Sequence, residues 1–284
     1  MSKYSLHVFI PREAYLLVAA SMFLGFFVSL TFQGVLFEMD NPVIFDRLVI
    51  LVSEIVILLP CIFILRQRNI TILQVLPLNP VSPVTLAMSL VLVIGSVGLI
   101  SILEVLLVPY FPIPDFLKQM ESEISQGGFW DTMILVIAAS LVAPVVEEFI
   151  FRGVLQQSLF YRYGSLIPAI VIPTIIFALF HVAYLFYFPA LLELVALAVL
   201  LSWLMAKTGS ILIPIIVHGI FNLSSFAGLF ITEMDETTTV GDLGLPWIII
   251  SIITAIAGLI YFKYIKLAEH DDVYLIAPLR EEGF

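Results

Sequence analysis

Long apolar runs, separated by short polar stretches, recur along most of the chain. A helix rises about 1.5 Å per residue, so about 20 apolar residues cross a hydrocarbon layer of about 30 Å. By this length rule we predict an all-α fold, a polytopic transmembrane bundle of about eight helices; the alternating pattern of barrel strands is not found. The predicted helices cover residues 15–37, 43–65, 84–108, 131–161, 166–186, 190–206, 210–231 and 245–265.

The composition places most of the chain in lipid. Hydrophobic residues make up 61% of the 284 residues and charged residues 12%, about half the charged share of a soluble protein. We therefore predict an integral membrane protein that has the bilayer as a partner. The net charge of −10 argues against nucleic-acid binding, and the single cysteine, Cys61, excludes an internal disulfide framework. Because no internal repeat is found, residues 1–284 are predicted to form one membrane domain.

Two segments differ from a simple span. Residues 113–128 mix acidic and apolar side chains, a pattern that is typical of a helix lying on the membrane surface. The first apolar segment has no small-residue cleavage site after a short apolar core, so we expect a retained signal anchor.

Basic residues predict the orientation. Of the twelve lysines and arginines, Lys118 alone falls in a loop on the acidic face, and Arg47 and Arg152 lie within predicted helices. The others share the opposite face: Lys3, Arg12, Arg66, Arg68, Arg162, Lys207, Lys263, Lys266 and Arg280. The positive-inside rule makes that face cytoplasmic. We therefore expect a multi-pass protein of the cell membrane with both termini in the cytoplasm.

Three ionisable residues lie inside the predicted fourth helix: Glu147, Glu148 and Arg152. On insertion scales each costs about 2.5–3.5 kcal/mol at the centre of a membrane helix. Glu148 and Arg152 are four residues apart and are expected to form an ion pair on one helix face. Glu147 points about 100° away from Glu148 and is left without that partner. A structural interhelical network would also explain such a pair, but the surplus carboxylate favours a functional site.

Two later helices add polar side chains at membrane depth. His181 lies near the end of the fifth predicted helix, and His218 and Asn222 share a face of the seventh because they are four residues apart. Each of them alone is compatible with packing or with an interhelical hydrogen bond. Polar groups from three helices are explained more simply by one buried site.

Further residues accompany this pattern. Three prolines, each of which frees a backbone carbonyl, lie within about two turns of these residues: Pro144, Pro173 and Pro214. Asp46 and Arg47 lie near the outer end of the second helix and are expected to snorkel to the surface. Glu54 and Glu104 lie deeper, without a partner in their own segments, and their role is left open.

In order, the motifs Glu147-Glu148-x-x-x-Arg152, Phe177-x-x-x-His181 and His218-x-x-x-Asn222 resemble those of the CPBP family. This is the CAAX-protease and bacteriocin-processing family of intramembrane peptidases, also called the abortive-infection family. The motifs fall within residues 131–231, the expected catalytic core. The resemblance implies an intramembrane endopeptidase acting on a protein or peptide, of the CAAX type or the bacteriocin-processing type. His-Glu-x-x-His, Gly-x-Ser-x-Gly and paired mid-helix aspartates are absent from the sequence, which leaves Glu and His to carry any proteolysis.

Peptide hydrolysis needs an activated water and a stabilised oxyanion. Glu147 is the expected general base and His181 positions the water, while His218 and Asn222 donate to the oxyanion. The pair Glu148 and Arg152 is expected to support them. Glu147, His181 and His218 are also the ligand types of a catalytic zinc site with an open position for water. The sequence leaves the metalloprotease and the glutamate mechanism open.

Two other function classes place ionisable residues in membrane helices. A proton- or ion-coupled transporter does so, but it usually shows inverted repeats, which this sequence lacks. A non-catalytic scaffold or immunity protein could retain the motifs as structure. The cost of the polar groups in lipid favours the enzyme, and the sequence does not identify its substrate.

Overall fold

The computed structural model describes residues 9–36, 42–231 and 238–265, with side chains at 9–32, 43–226 and 238–265. Regular structure in these ranges is helical, apart from one isolated bridge between Leu78 and Ser210. In chain order the helices are α1 (Pro11–Leu36), α2 (Pro42–Val56), α3 (Leu59–Gln67), α4 (Ile72–Val75), α5 (Pro83–Leu107), α6 (Asp115–Ile124), α7 (Phe129–Tyr163), α8 (Leu166–Phe180), α9 (Phe188–Thr208), α10 (Leu212–Ile231) and α11 (Leu245–Tyr264).

Each of the eight predicted apolar segments contains a helix, and the all-α polytopic bundle is confirmed. By length and composition, six helical segments could cross a membrane: Pro11–Phe32, Val43–Gln67, Pro83–Leu107, Phe129–Tyr163, Phe188–Thr208 and Leu245–Tyr264. Two shorter helices are also apolar: Leu166–Phe180 and the part of α10 with described side chains, Leu212–Phe226.

The predicted span over 166–186 is wrong at its end. The α-helix stops at Phe180 because His181 leaves the helical region, with φ −93° and ψ 59°. A 3₁₀ turn, Val182–Phe186, then leads to α9. With 15 residues, α8 is only about 22 Å long, so it is shorter than a hydrocarbon layer of about 30 Å.

The second predicted span is divided into α2 and α3. Pro60 lies in the first turn of α3, after a turn at Ile57 and Leu58. Proline has no backbone N–H and therefore cannot continue the bonding of α2. Pro60 is well placed instead to begin a new helix.

The long helix α7 has 35 residues and contains two π-helical stretches, Ala138–Val142 and Phe149–Gln156. Between them lies a short α-helical stretch, Ala143–Glu148, which carries both glutamates of the first motif. π-Turns within α-helices are frequent at functional sites. Every side chain of the second π-stretch is buried, including Arg152 and Gln156, so the middle of α7 is the centre of the bundle.

Apolar packing holds α7 in place. Phe149, Ile150 and Phe151 belong to a core cluster that α1, α3 and α8 also supply, through residues such as Leu65 and Phe177. On the other side, α5 and α11 approach closely. A Cβ added at Gly258 would lie 2.6 Å from the Cβ of Leu92, so small residues set the distance between these two helices.

A helix is found within the predicted surface segment 113–128, as α6, and none of its side chains is buried. The expectation that Arg47 snorkels is wrong. Arg47 is only 4% exposed, pairs with Asp46 at 3.1 Å and donates to the carbonyl oxygens of Glu123 at 2.6 Å and Ile124 at 3.4 Å. These carbonyls form the negative end of α6, where a cation is favourable, so Arg47 anchors the surface helix to α2.

The structure gathers several of the basic residues whose common face was predicted. Arg68, at the end of α3, pairs with Glu13, at the start of α1, at 2.6 Å. Lys207, at the end of α9, donates to the carbonyl of Ile265 beyond α11 at 3.0 Å. The ends of four helices therefore meet in two pairs, and each pair is joined by a basic side chain. Lys3, Lys266 and Arg280 and the expected location of the termini lie outside the described residues.

Candidate active site

Glu148 and Arg152 form the predicted ion pair. Arg152 Nη1 donates to Glu148 Oε1 at 2.7 Å, and both side chains are fully buried. Arg152 Nη2 donates to the carbonyl oxygen of Ala198 in α9 at 3.1 Å. The guanidinium also lies over the ring of Phe177, 5.2 Å from its centroid. The pair thus links α7 to α8 and α9 and neutralises one of the two carboxylates.

The second π-stretch supports the same contact with α9. Gln156 Nε2 donates to the carbonyl oxygen of Ser202 at 2.8 Å, one helical turn from the carbonyl that Arg152 binds. Two polar side chains, four residues apart on α7, therefore bind two α9 carbonyls, also four apart. This register fixes the rotation of α7, and with it the direction in which Glu147 points.

His218 lies between the two glutamates. Its Nδ1 is 2.9 Å from Glu148 Oε1, which is a hydrogen bond, and its Nε2 is 3.7 Å from Glu147 Oε2. An ionised carboxylate can only accept a hydrogen bond, so His218 Nδ1 carries the proton in its contact with Glu148. The Nε2 atom faces Glu147 at a distance that is too long for a direct hydrogen bond.

The two glutamates differ in exposure. The side chain of Glu148 is 0% exposed and that of Glu147 is 15% exposed. Glu148 is used by Arg152 and His218, whereas Glu147 is the carboxylate that a small molecule can reach. The sequence predicted from the position of Arg152 alone that Glu148, and not Glu147, is the paired carboxylate.

His181 lies just beyond the end of α8 rather than inside it. Its Nδ1 is 2.8 Å from the carbonyl oxygen of Phe177, so Nδ1 donates and the Nε2 of a neutral ring is an acceptor. The Phe177 ring lies 4.5 Å from the His181 ring and 6.1 Å from the His218 ring, between centroids. Phe177 therefore holds both imidazoles from one side.

Asn222 is fixed by the irregular part of α7. Its Nδ2 donates to the carbonyl oxygen of Ala139 at 2.8 Å. In the first π-stretch the N–H of Ala143 bonds to Ala138, five residues back. In that register Ala139 would bond to residue 144, but Pro144 has no N–H. The free carbonyl is therefore satisfied by Asn222, whose second amide hydrogen remains for a ligand.

Asn222 can make this hydrogen bond because α10 approaches α7 closely. A Cβ added at Gly219 would lie 2.6 Å from the carbonyl oxygen of Ser140 in the first π-stretch. A residue larger than glycine would push α10 away from α7 and would move His218 and Asn222, which flank Gly219 on the same helix.

The ligands suggested for zinc do not form a three-ligand set. Across the described ranges, no group of three or more His, Cys, Asp or Glu side chains is placed to hold a metal ion. His218 Nδ1 is bound to Glu148, and the His181 ring lies against Phe177, whose ring also contacts that of His218.

Sequence reasoning left the role of Glu54 open and missed Glu193. Glu54 in α2 is close enough to Glu147 for their charges to interact, and its Oε2 is buried without a hydrogen-bond partner. Glu193 in α9 is close to Glu104 and to Tyr184, and the Tyr184 ring stacks on that of His181 at 6.1 Å. The available signal was an acidic residue inside an apolar helix, which by itself does not show where the side chain points.

The comparison with protein families covers this site. Residues 129–224 match a family described as Rce1-like, type II CAAX prenyl endopeptidase Rce1-like. This segment carries an Rce1-like domain. It contains all three motifs, from Glu147 to Asn222, so the resemblance to the CPBP family is confirmed, and the Rce1-like match supports an intramembrane endopeptidase. No curated protein and no solved structure matches the chain.

Proposed function

We propose that this membrane protein hydrolyses a peptide bond with a water that Glu147 activates. The observation that carries the proposal is the contrast between the two adjacent carboxylates. Glu148 is fully buried and bound by Arg152 and His218, while Glu147 is reachable beside His218 Nε2. A general base must reach its water, and Glu147 is the member of the pair that does so.

The reaction follows from these positions. Glu147 takes one proton from water while His181 Nε2 accepts a hydrogen bond from the other O–H, and the resulting hydroxide oxygen attacks the peptide carbonyl. The negative charge on the carbonyl oxygen is stabilised by the second amide hydrogen of Asn222 and by His218 Nε2–H when that ring is protonated. Glu147 then gives its proton to the leaving amine as the C–N bond breaks.

Glu148 and Arg152 take no part in the proton transfers. Their ion pair, together with the bond from Arg152 to Ala198, holds α7 and the His218 ring in place. Preorganisation of this kind is what a catalytic site needs from its supporting residues. The substrate is a protein or peptide of the CAAX type or the bacteriocin-processing type, and the protein acts in the cell membrane with both termini cytoplasmic.

Purified protein in detergent or in vesicles tests the proposal with a random peptide library. Mass spectrometry should detect new termini, and reaction in ¹⁸O-labelled water should place one label in each new carboxyl group. The matched control is His181→Ala, which removes a water-contacting group from the end of α8 without touching the Glu148–Arg152 pair. A wild-type protein that cleaves no more than this control would contradict the proposed function.

A further inference from the structure

A groove runs between α1 and α3 on the outside of the bundle. Its volume is about 310 Å³, at the lower end of the range for a small-molecule site. The two helices contribute equally to the apolar part of its lining: Leu16, Leu17 and Ala20 from α1, and Pro60, Phe63 and Ile64 from α3. Because Leu16 and Phe63 are 62% and 61% exposed, this α1–α3 groove opens towards the surroundings of the bundle.

The groove lies where the second predicted span is broken. At Gly25, α1 lies directly against the turn after α2, since a Cβ added there would be 2.6 Å from Ile57 Cγ1. Pro60 then begins α3 as a separate helix, and the small side chain of Ala20 leaves space beside it. On the inner side Leu17 belongs to the core cluster that also contains Ile150 of α7. The walls of the groove are therefore fixed by the packing of the bundle.

One end of the groove is charged and the rest is apolar. Glu13, in the first turn of α1, and Arg68, directly after α3, both line the groove. They lie at the boundary of two candidate membrane spans, one of which begins at Pro11 and the other of which ends at Gln67. Ala20 and Pro60 lie about 10–12 Å deeper along the same two helices. From the membrane boundary inward, the groove thus has the same order of polarity as a phospholipid.

The charged end presents a cation and an anion side by side. Arg68 donates to both carboxylate oxygens of Glu13, through Nη2 at 2.6 Å and through Nη1 at 3.3 Å. The guanidinium also lies over the Phe9 ring, 5.6 Å from its centroid, and Glu13 accepts from the N–H of Ile10 at 3.3 Å. Each charged side chain is nevertheless 35% exposed. Both charges are therefore held in place and can still be reached by a molecule in the groove.

Charge complementarity distinguishes the possible lipids. A guanidinium matches the geometry of a phosphate, which it binds through parallel N–H donors. The carboxylate beside it repels an additional negative charge and attracts a positive one. A phosphatidylethanolamine headgroup carries both a phosphate and a primary ammonium, which has three N–H donors for a carboxylate. An anionic headgroup lacks the ammonium, and a choline headgroup has no N–H to donate.

We infer that the α1–α3 groove binds a zwitterionic phospholipid with a primary amine, a phosphatidylethanolamine. Its phosphate pairs with Arg68, its ammonium pairs with Glu13, and one acyl chain lies in the apolar part of the groove. None of these residues belongs to the candidate active site, so the inference is independent of the proposed reaction. The lipid would join α1 to α3, two of the helices whose side chains form the core around the middle of α7.

Lipid binding to the purified protein tests this inference. Native mass spectrometry of delipidated protein in detergent measures Kd for three dioleoyl lipids that differ in the headgroup: phosphatidylethanolamine, phosphatidylcholine and phosphatidylglycerol. Wild-type protein should bind the ethanolamine lipid at least about 10-fold more tightly than the other two, because its ammonium adds charge-assisted hydrogen bonds to Glu13. The ethanolamine lipid should also raise the thermal unfolding temperature the most.

Two charge variants separate selectivity from affinity. Glu13→Gln removes the partner of the ammonium and should abolish the preference for ethanolamine over glycerol and choline headgroups. Arg68→Gln removes the partner of the phosphate and should raise the Kd of the ethanolamine lipid at least about 10-fold. The control Arg162→Gln removes an exposed arginine at the end of α7 and should change neither quantity.

A third variant tests the apolar part of the groove. Ala20→Trp fills the space for the acyl chain and should raise the Kd of the ethanolamine lipid at least about 10-fold. The matched control is Ala19→Trp, at the preceding residue of α1, which is exposed but does not line the groove. This control should bind the lipid like the wild-type protein.

Four results would overturn the inference. Equal binding of the three lipids by wild-type protein would indicate a general acyl-chain contact, and a preference for the glycerol lipid would indicate a site for anionic lipids. The inference also fails if Glu13→Gln keeps the wild-type preference, or if Ala20→Trp and Ala19→Trp bind the ethanolamine lipid alike. Because Kd is measured without a peptide substrate, these outcomes do not depend on whether the protein cleaves peptides.

Discussion

At the scale of single residues, the site depends on the different contacts that His218 makes with two neighbouring carboxylates. One imidazole nitrogen is bound to Glu148 at 2.9 Å, and the other faces Glu147 at 3.7 Å. Glu148 also accepts a hydrogen bond from Arg152. Its negative charge is therefore compensated within the protein. The carboxylate of Glu147 remains able to accept a proton from a molecule outside the protein. The chemistry of the site thus follows from a difference in partners between two residues of the same type.

Removal of Glu148 should destabilise the fold rather than only the reaction. Glu148→Ala leaves the buried guanidinium of Arg152 without its counter-ion, which should lower the free energy of unfolding by about 3–5 kcal/mol. The measurement is denaturant unfolding in a defined detergent. Glu13→Ala is the matched control, since it breaks the partly exposed pair with Arg68 and should change the stability by less than about 1 kcal/mol. Equal effects of the two changes would contradict the role given to Glu148.

Chelation decides between the two chemistries that the sequence left open. Since Glu147, His181 and His218 do not converge as a three-ligand set, we expect peptide cleavage to survive dialysis against a strong zinc chelator. The zinc mechanism predicts instead about one equivalent of metal in active protein, with both metal and activity lost in His181→Ala. Metal analysis alongside the activity assay distinguishes these outcomes.

At the scale of elements, the irregular helix α7 positions Asn222. Its first π-stretch and Pro144 together free the Ala139 carbonyl. Pro144→Ala restores an N–H that competes with Asn222 for this carbonyl. We expect cleavage to fall about 10-fold, less than the ~100-fold expected for Asn222→Ala, which removes the proposed oxyanion donor.

The control for this change is Pro173→Ala in α8, which restores an N–H near Ala169, away from Asn222. It should leave cleavage near the wild-type rate in the same assay. If Pro144→Ala and Pro173→Ala reduced cleavage equally, the effect would be one of helix bending in general, and the specific role of the Ala139 carbonyl would be wrong.

Much of the helical pattern could be predicted because lipid requires long apolar runs and tolerates few alternatives. The Glu148–Arg152 pair also followed from spacing alone. The π-stretches of α7 could not be predicted, since hydropathy does not distinguish π-helical from α-helical bonding, and the first of them packs against Gly219 from another helix. The early end of α8 at Phe180 was missed because residues 182–186 are as apolar as a helix interior. Glu193 was missed because hydropathy does not show which face a single carboxylate occupies.

At the scale of the whole molecule, two basic side chains connect helix ends at one predicted face of the bundle. Arg68 and Glu13 tie α3 to α1 at one end, and Lys207 ties α9 to the residue after α11 at the same predicted face. The positive-inside rule predicts that this face is cytoplasmic.

Cysteine labelling tests this orientation. Thr239 is exposed in the loop before α11, so Thr239→Cys in a Cys61→Ala background should react with a membrane-impermeant maleimide in intact cells. Arg162→Cys, at the opposite end of α7, is the control and should react only after lysis. The reverse pattern of labelling would invert the predicted topology.

The central claim is that Glu147 is the base, and Glu147→Gln tests it most directly. Glutamine keeps the shape of the side chain but cannot take a proton from water. The Glu148–Arg152 pair is untouched, so the variant should unfold like the wild-type protein. Its rate of peptide cleavage should be at least about 100-fold lower. A folded Glu147→Gln protein that cleaves peptides at the wild-type rate would contradict the account.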